Sequence, residues 1–526
     1  MASSACRVRL VTCGLIRTSI SCEAGEALTK RAPLFYCVPP TKASFRTLSP
    51  PSSTVLSSSS LSPSYPLYPV SCASLFISAG PSLLSTVGMC PKAWSEALIS
   101  RSMQNVRYAS SLPQFRGIFP AKSVTEVYFA RPEEGLPLLR CLSMSGALLE
   151  GPSSLPFPLD LGVRMLRVMI QSQVYDSTFY DIQRQGRISF YMTSFGEEAS
   201  LVGSAAALHK DDLLLLQYRE LSALMWRGLT LDDILAQLFA TKNDPGKGRQ
   251  MPVHYGATNV NMMPICSPLA VKIPQGAGVG YAYTLQKKNA VAVVYFGEGA
   301  ASEGDASVGF NFAATLGSQT LFLCRNNGYA ISTPVGEQYK GDGVGARAVA
   351  YGIDTVRVDG TDLVAVYAAV KAARELVVAQ RKPAFVEMMT YRIGHHSTSD
   401  ESGAYRSAEE VEQWQASAAH PIRRFATFLT NQARTETKQN TSGRWSAEEE
   451  SALVVETRKE VLAKIRVHEK MKHPPVLSGI FSDVYSTVPQ FLREQREMLK
   501  AFLSRPGRAV QYNLEGFERD SDDSCK

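Results

Sequence analysis

Apolar residues follow one another along this chain in two rhythms that alternate. Ala290–Phe296 is an unbroken apolar run of strand length, rich in valine, and it stops at Gly297-Glu298-Gly299. Thr320–Cys324 is a second such run, and it stops at Arg325-Asn326-Asn327-Gly328. The intervening EGDASVGFNFAATLG has the length of one crossover helix. The stretch therefore predicts a strand–helix–strand unit with its two strands parallel. The same alternation continues on both sides. Upstream, Asp160–Arg184 places Leu161, Met165, Val168 and Met169 on one helical face. It is followed by a short apolar run at Leu213–Gln217, an amphipathic segment at Leu231–Ala240 and a small-residue-rich helix at Ala270–Leu285. Downstream, Asp354–Val358 predicts a strand, Thr361–Ala379 a helix and Ala384–Tyr391 another strand. Such alternation predicts an α/β fold with a parallel sheet covered by helices on both faces. Ser446–Val467 reads as a charged amphipathic helix, and Phe481–Leu503 as a further one ending before Pro506.

The first hundred or so residues show neither rhythm. They are rich in Ser and Pro, and up to Ala121 they carry eleven Lys or Arg against three Glu and no Asp. The remaining 44 basic and 45 acidic residues nearly cancel, so the net charge of +7 belongs to this leader. That argues for import rather than nucleic-acid binding. An Arg- and Ser-rich, acid-poor start is similar to a mitochondrial transit peptide; a plastid or two-part leader, or a disordered extension without an address, are the other readings. Val70–Met89 is interrupted by Ser, Gly and Pro and makes a poor membrane span. Six of the ten cysteines lie in the leader, and Cys141, Cys266, Cys324 and Cys525 form no CxxC pair. A zinc ribbon, a redox motif and a disulfide framework are therefore not expected, and Cys324 reads as a small buried residue. The expected organisation is a leader over 1–105, an N-terminal arm over 106–158, the α/β domain over 159–410, C-terminal helices over 411–510 and a polar tail over 511–526.

Ligands of parallel sheets sit outside the carboxyl ends of the strands. Glu298 and Asn327 follow two such ends, and their side-chain oxygens suit Mg²⁺, which prefers oxygen ligands and often shares them with phosphate. Arg325 adds a charge that can pair with phosphate in a forked geometry. The bland reading makes Glu298 a helix-capping acid and Asn327 a turn residue. Adjacent His395 and His396, near Asp400 and Glu401, fit no common zinc spacing. Gly343, Gly345 and Ala348 form a G-x-G-x-x-A pattern, but no strand precedes it, so it is not a dinucleotide fingerprint.

GEG followed by NN about thirty residues on resembles the thiamine-diphosphate motif, usually GDG…NN. Its neighbours are QRQGRISFY (183–191), QYRE (217–220), GKGRQMPVHYG (246–256), FGEGAASEGD (296–305), RNNGYAISTP (325–334) and YRIGHHSTSD (391–400). In this order they resemble the alpha subunits of branched-chain 2-oxo acid dehydrogenases, from about Leu112 to about Arg505. The resemblance implies the thiamine-diphosphate-binding fold and a set of roles. Glu298, Asn327 and the Tyr329 carbonyl would hold Mg²⁺. Gly297, Gly299 and Ala300 would approach the cofactor through backbone, Tyr218 would line it, and Arg219 and Arg325 would hold its diphosphate. The bland reading of Arg219 is an ion pair with Glu220 or a neighbour. Ser267 would meet the aminopyrimidine and Leu269 pack beneath it. His396 would be a cofactor-facing proton donor near neutral pH, and Ser397 and Ser407 would be phosphorylation sites on a polar loop, served by a kinase and a phosphatase.

Where relatives hold a structural potassium ion, Cys266, Val271 and Lys272 replace the usual oxygen ligands, and the Lys272 ammonium is expected to fill that space. The carboxylate that activates the aminopyrimidine is absent from these motifs and would come from a beta subunit in an α₂β₂ assembly. A lipoyl-bearing acyltransferase would be the next partner, the mitochondrial matrix the compartment, and neither nucleic acid nor membrane a partner. The alternatives are the same chemistry working mainly on pyruvate, or a non-catalytic scaffold.

Overall fold

The long apolar runs at the centre of the chain become strands buried on both faces. The computed structural model describes Val127 and residues 134–150, 155–435 and 445–520. The expected leader therefore lies outside the described residues. Nine strands are described: β1 Leu138–Leu139, β2 Leu213–Leu215, β3 Met262–Met263, β4 Ala292–Gly297, β5 Thr320–Asn326, β6 Tyr329–Ala330, β7 Thr333–Pro334, β8 Asp354–Asp359 and β9 Ala384–Met389. Seven of them form one sheet in the order β1-β8-β9-β5-β4-β2-β3, and every pairing in it is parallel. The expected α/β fold with a parallel sheet is therefore found. β6 and β7 make a small antiparallel hairpin.

The main helices are α1 Leu159–Arg184, α2 Glu198–Ala206, α3 Leu221–Arg227, α4 Leu231–Leu238, α5 Lys272–Gln286, α6 Gly304–Leu316, α7 Gly345–Ala350, α8 Leu363–Gln380, α9 Ala408–Ala416, α10 Pro421–Thr435, α11 Ala447–His468, α12 Val476–Phe481 and α13 Gln490–Leu503. Side chains alternate across the strands, so two apolar layers form. Val293, Tyr295, Leu321, Leu323, Val386 and Met388 join one layer with α1, α2 and α8. Ala292, Val294, Phe296, Phe322, Cys324 and Phe385 join the other with α5 and α6. Small residues let α5 lie close on the sheet: a Cβ added to Gly276 would collide with Val294 Cγ2.

The arm docks on this core. β1 pairs with β8, and the Cys141 and Leu142 amides donate to the buried Asp362 carboxylate at 2.7 and 2.6 Å. The expected α/β–helical boundary at 410 falls inside α9. The helix expected over Phe481–Leu503 is shorter, running only over Gln490–Leu503 as α13. Phe481 closes α12, Pro489 opens α13, and Asp483 between them is held by Lys247 and Arg249. The expected polar tail is docked as far as it is described: Asp520 accepts from the Leu477 and Ser478 amides at 3.0 and 2.7 Å, capping the start of α12.

Candidate active site

Register brings three strand ends into one row, and a fourth, that of β2, falls three residues short of them. Gly297 of β4 stands opposite Arg325 of β5, Asn326 of β5 opposite Met389 of β9, and Leu215 of β2 opposite Val294. Gln217 ties two of these ends together, its Oε1 accepting from the Gly297 amide at 2.9 Å. The segments that follow are Tyr218–Glu220, Glu298–Ala300, Asn327–Tyr329 and Thr390–His396, and they carry most of the expected site residues.

Glu298 is 1 % exposed, and its Oε1 is buried with no hydrogen-bond partner. Its Oε2 accepts from the Asn327 amide at 3.3 Å. Burial raises the Glu298 pKa above the usual carboxylate range, with the Glu197 charge adding to it and Arg325 opposing. The Asn327 side chain donates from Nδ2 to Glu197 Oε1 at 2.8 Å, and its Oδ1 accepts from the Tyr329 amide at 3.2 Å. A carboxylate oxygen without a partner and an amide oxygen thus sit on neighbouring loop tips, as a hard cation requires. Among the described residues no group of three or more His, Cys, Asp or Glu is placed to hold a metal. A metal here would therefore need, besides the Glu298 carboxylate, the Asn327 amide oxygen, backbone carbonyls and oxygens of a ligand. Backbone approach is also prepared: a Cβ on Gly299 would come within 2.8 Å of the Ala330 Cβ, and Ala300 is buried in the turn that follows.

Behind these tips stands a charge cluster that the sequence reading did not find. Arg325 is gripped on both sides, its Nη1 donating to Glu197 Oε2 at 2.5 Å and its Nη2 lying 2.6 Å from Glu220 Oε1. Arg219 donates to the carbonyls of Thr193 and His396 at 2.5 and 3.0 Å, and its Nε is 3.8 Å from Glu197. Glu197 is fully buried; burial raises its pKa, but the Arg325 and Arg219 charges outweigh that and hold it below the usual value. The signal in the sequence was an acidic pair, Glu197-Glu198, opening an otherwise small and apolar helix.

His396 stands over this cluster, its ring edge-on to Tyr218 at 6.3 Å. Arg219 Nη2 lies 3.3 Å from His396 Nδ1. A guanidinium can only donate, so Nδ1 accepts and the proton sits on Nε2. Burial, then the charges of Arg219 and Arg392, push the His396 pKa down to about 3, with Asp400 opposing. In the chain alone the imidazole is therefore neutral at neutral pH and offers one N–H. The polar loop around it is also tied down. Asp400 accepts from the His396 amide at 2.8 Å and from the Tyr405 hydroxyl at 2.6 Å. Thr398 bonds the Tyr191 backbone in both directions. Ser397 is buried, its Oγ accepting from the Ser399 amide at 3.2 Å, while exposed Ser407 caps α9 by accepting from the Glu410 amide at 3.1 Å.

Two expected residues come from a further loop. Ser267 and Leu269 lie on the loop between β3 and α5; Ser267 Oγ is 2.9 Å from His254 Nε2, and Leu269 packs on the α5–α6 layer. No hydrogen bond joins either to Glu298, Asn327 or His396. The potassium position does not fit that ion. Val271 is apolar, Cys266 carries sulfur, and buried Lys272 places its ammonium 2.8 Å from the Pro264 carbonyl.

The dehydrogenase E1 component family model matches residues 166–476. The chain is 46% identical over 409 residues to the mouse (Mus musculus) protein named 2-oxoisovalerate dehydrogenase subunit alpha, mitochondrial, covering 77% of this chain and 89% of that one. It is 47% identical over 380 residues to the Caenorhabditis elegans protein of that name, covering 72% and 85%. It is 46% identical over 370 residues to the alpha 1 form of Arabidopsis thaliana, covering 70% and 76%.

Proposed function

This chain belongs to the dehydrogenase E1 component family, and from that membership and its site we infer that it is the alpha subunit of a branched-chain 2-oxo acid dehydrogenase. It takes part in thiamine-diphosphate-dependent oxidative decarboxylation of branched-chain 2-oxo acids and in passing the acyl group to the lipoyl group of the acyltransferase. The observation that carries the reading is the unpartnered, buried Glu298 Oε1 beside the Asn327 amide at the carboxyl edge of the sheet.

Thiamine diphosphate, when bound, supplies the carbon that attacks the keto group and takes up the electrons left by CO₂. The residues of this chain bind and orient it. Glu298, Asn327 and the Tyr329 carbonyl would hold Mg²⁺, with Gly297, Gly299 and Ala300 giving close backbone approach. Arg219 and Arg325 would oppose the diphosphate charge. Both Arg325 amino groups are already engaged with Glu197 and Glu220, so its part is mainly its field. His396 would donate through Nε2–H, and Tyr218, Ser267 and Leu269 would line the organic part of the cofactor. Lys272 would supply, from its own ammonium, the charge that potassium gives relatives.

The carboxylate that activates the aminopyrimidine is expected from a beta subunit, in an α₂β₂ assembly served by a lipoyl-bearing acyltransferase. The relatives' printed names say mitochondrial, which supports the matrix as compartment, with 1–105 as the transit segment. Ser397 and Ser407 would be sites for a kinase and phosphatase. Because Ser397 is buried, its modification needs the loop to open, and a phosphate there would repel the cofactor diphosphate beside His396.

The test is reconstitution. The pair with a beta subunit should decarboxylate 3-methyl-2-oxobutanoate in preference to pyruvate, and the single chain should turn over neither. Preference for pyruvate would move the assignment to that substrate; turnover by the single chain would overturn the shared site.

A further inference from the structure

We infer that Glu197 is a positioning residue that presents the Asn327 amide oxygen to the metal. The inference rests on the reading of Glu298 and Asn327 as a Mg²⁺ site.

The two ends of an Asn side chain have nearly the same shape but opposite hydrogen-bonding character, and only the oxygen end binds a cation. Something must therefore choose which end faces the site. An ionised carboxylate can only accept, so Glu197 Oε1, 2.8 Å from Asn327 Nδ2, selects the NH₂ end for itself. The Tyr329 amide, 3.2 Å from Oδ1, marks the other end as the acceptor. The amide is thus fixed from both sides. The Glu197 side chain is itself immobilised, being 0 % exposed and bonded through Oε2 to Arg325 at 2.5 Å. Glu220 makes a useful contrast: it meets the same Arg325 at 2.6 Å but has no bond to Asn327. Glu197 and Asn327 are 130 residues apart in sequence, so the contact is made only by the fold.

Partners one shell behind a metal ligand commonly matter 10–100-fold in metal affinity, so E197Q should raise the Mg²⁺ concentration for half-maximal thiamine diphosphate binding by about tenfold or more. Binding is read by calorimetry on the assembly reconstituted with its beta subunit, titrating Mg²⁺ at fixed cofactor. N327D alone should be impaired too, since it sets two carboxylates face to face. The double variant E197Q/N327D reverses the bond: the amide introduced at position 197 donates to the carboxylate introduced at position 327, which offers its other oxygen to the metal. Its half-saturating Mg²⁺ should return to within about threefold of the native value, the sign of direct coupling between contacting residues. E220Q, which loosens the Arg325 pairing and the bond from the Gln217 amide but makes no contact with Asn327, should shift it less than E197Q does.

An unchanged Mg²⁺ requirement in E197Q, a double variant no better than its parents, or equal shifts in E197Q and E220Q would each overturn the positioning role while leaving the metal site standing. Native cofactor binding indifferent to Mg²⁺ would overturn the site reading and this inference together. If either single variant fails to assemble, the double variant is read against the native value alone, and a half-saturating Mg²⁺ raised tenfold or more overturns the positioning role.

Discussion

At the scale of single residues, the site is governed by buried charge. Glu198 opens α2 with its Oε1 buried and unpartnered. Burial, then the charges of Asp176 and Glu197, raise its pKa to about 8, although its own and the Gly196 amide oppose the shift. An unfolded Glu titrates near 4.3. Between these values the native state keeps a proton that the unfolded state has lost, so stability falls as pH rises from about 4.3 through 8. Asp176, raised to about 6 by burial, acts in the same direction. His396, depressed to about 3, acts the other way: its contribution is lost as pH falls from about 6.5 toward 3. Glu198→Gln removes the first of these terms. The variant should gain on the native chain by a few kcal/mol between pH 5 and pH 8.5, read as a widening difference in melting temperature. A difference that stays constant with pH would refute the assignment. Glu197 and Glu198 were the hardest residues to find in the sequence. An acid at the start of a helix is ordinary, and only folding brings Glu197 against Arg325, 128 residues away.

At the scale of elements, what could be read depended on length. β4, β5 and β9 are six or seven residues long and buried over most of their length, so the apolar run and the strand coincide, while β8, also six residues long, is buried only over its second half. β1, β3, β6 and β7 have two residues each, too few to show any rhythm. The site residues Glu298 and Asn327 were legible for the same reason as their strands, since they mark where an apolar run stops. The break between α12 and α13 was not, because Phe481 and Leu492 carry the apolar pattern across a loop that Pro489 ends. The small residues of α5 predicted close packing, and the sheet contact shows which of them it depends on. Gly276→Ala would press a methyl group onto Val294, a β-branched side chain with no freedom to turn away in a full layer. It should destabilise the chain by about 1–3 kcal/mol, measured by denaturant midpoint, while Gly278→Ala, with nothing within 4 Å, should not. Equal behaviour of the two variants would contradict the packing account.

At the scale of the whole molecule, the net positive charge lies in the first 121 residues and the rest of the chain is near neutral, and the described residues belong to that near-neutral body. No described helix is long and apolar enough to cross a membrane. The sheet's role is to end three strands in one row with a fourth just short of it, so that groups from positions 218 to 396 meet at one edge. Glu298 and Asn327 are proposed to share one Mg²⁺ with a diphosphate, and calorimetry of thiamine diphosphate binding to the reconstituted assembly tests this most directly. The native assembly should bind only when Mg²⁺ is present, and Glu298→Ala should lose the Mg²⁺-dependent binding while remaining assembled. Binding by the Ala variant at native strength and with native Mg²⁺ dependence would contradict the account.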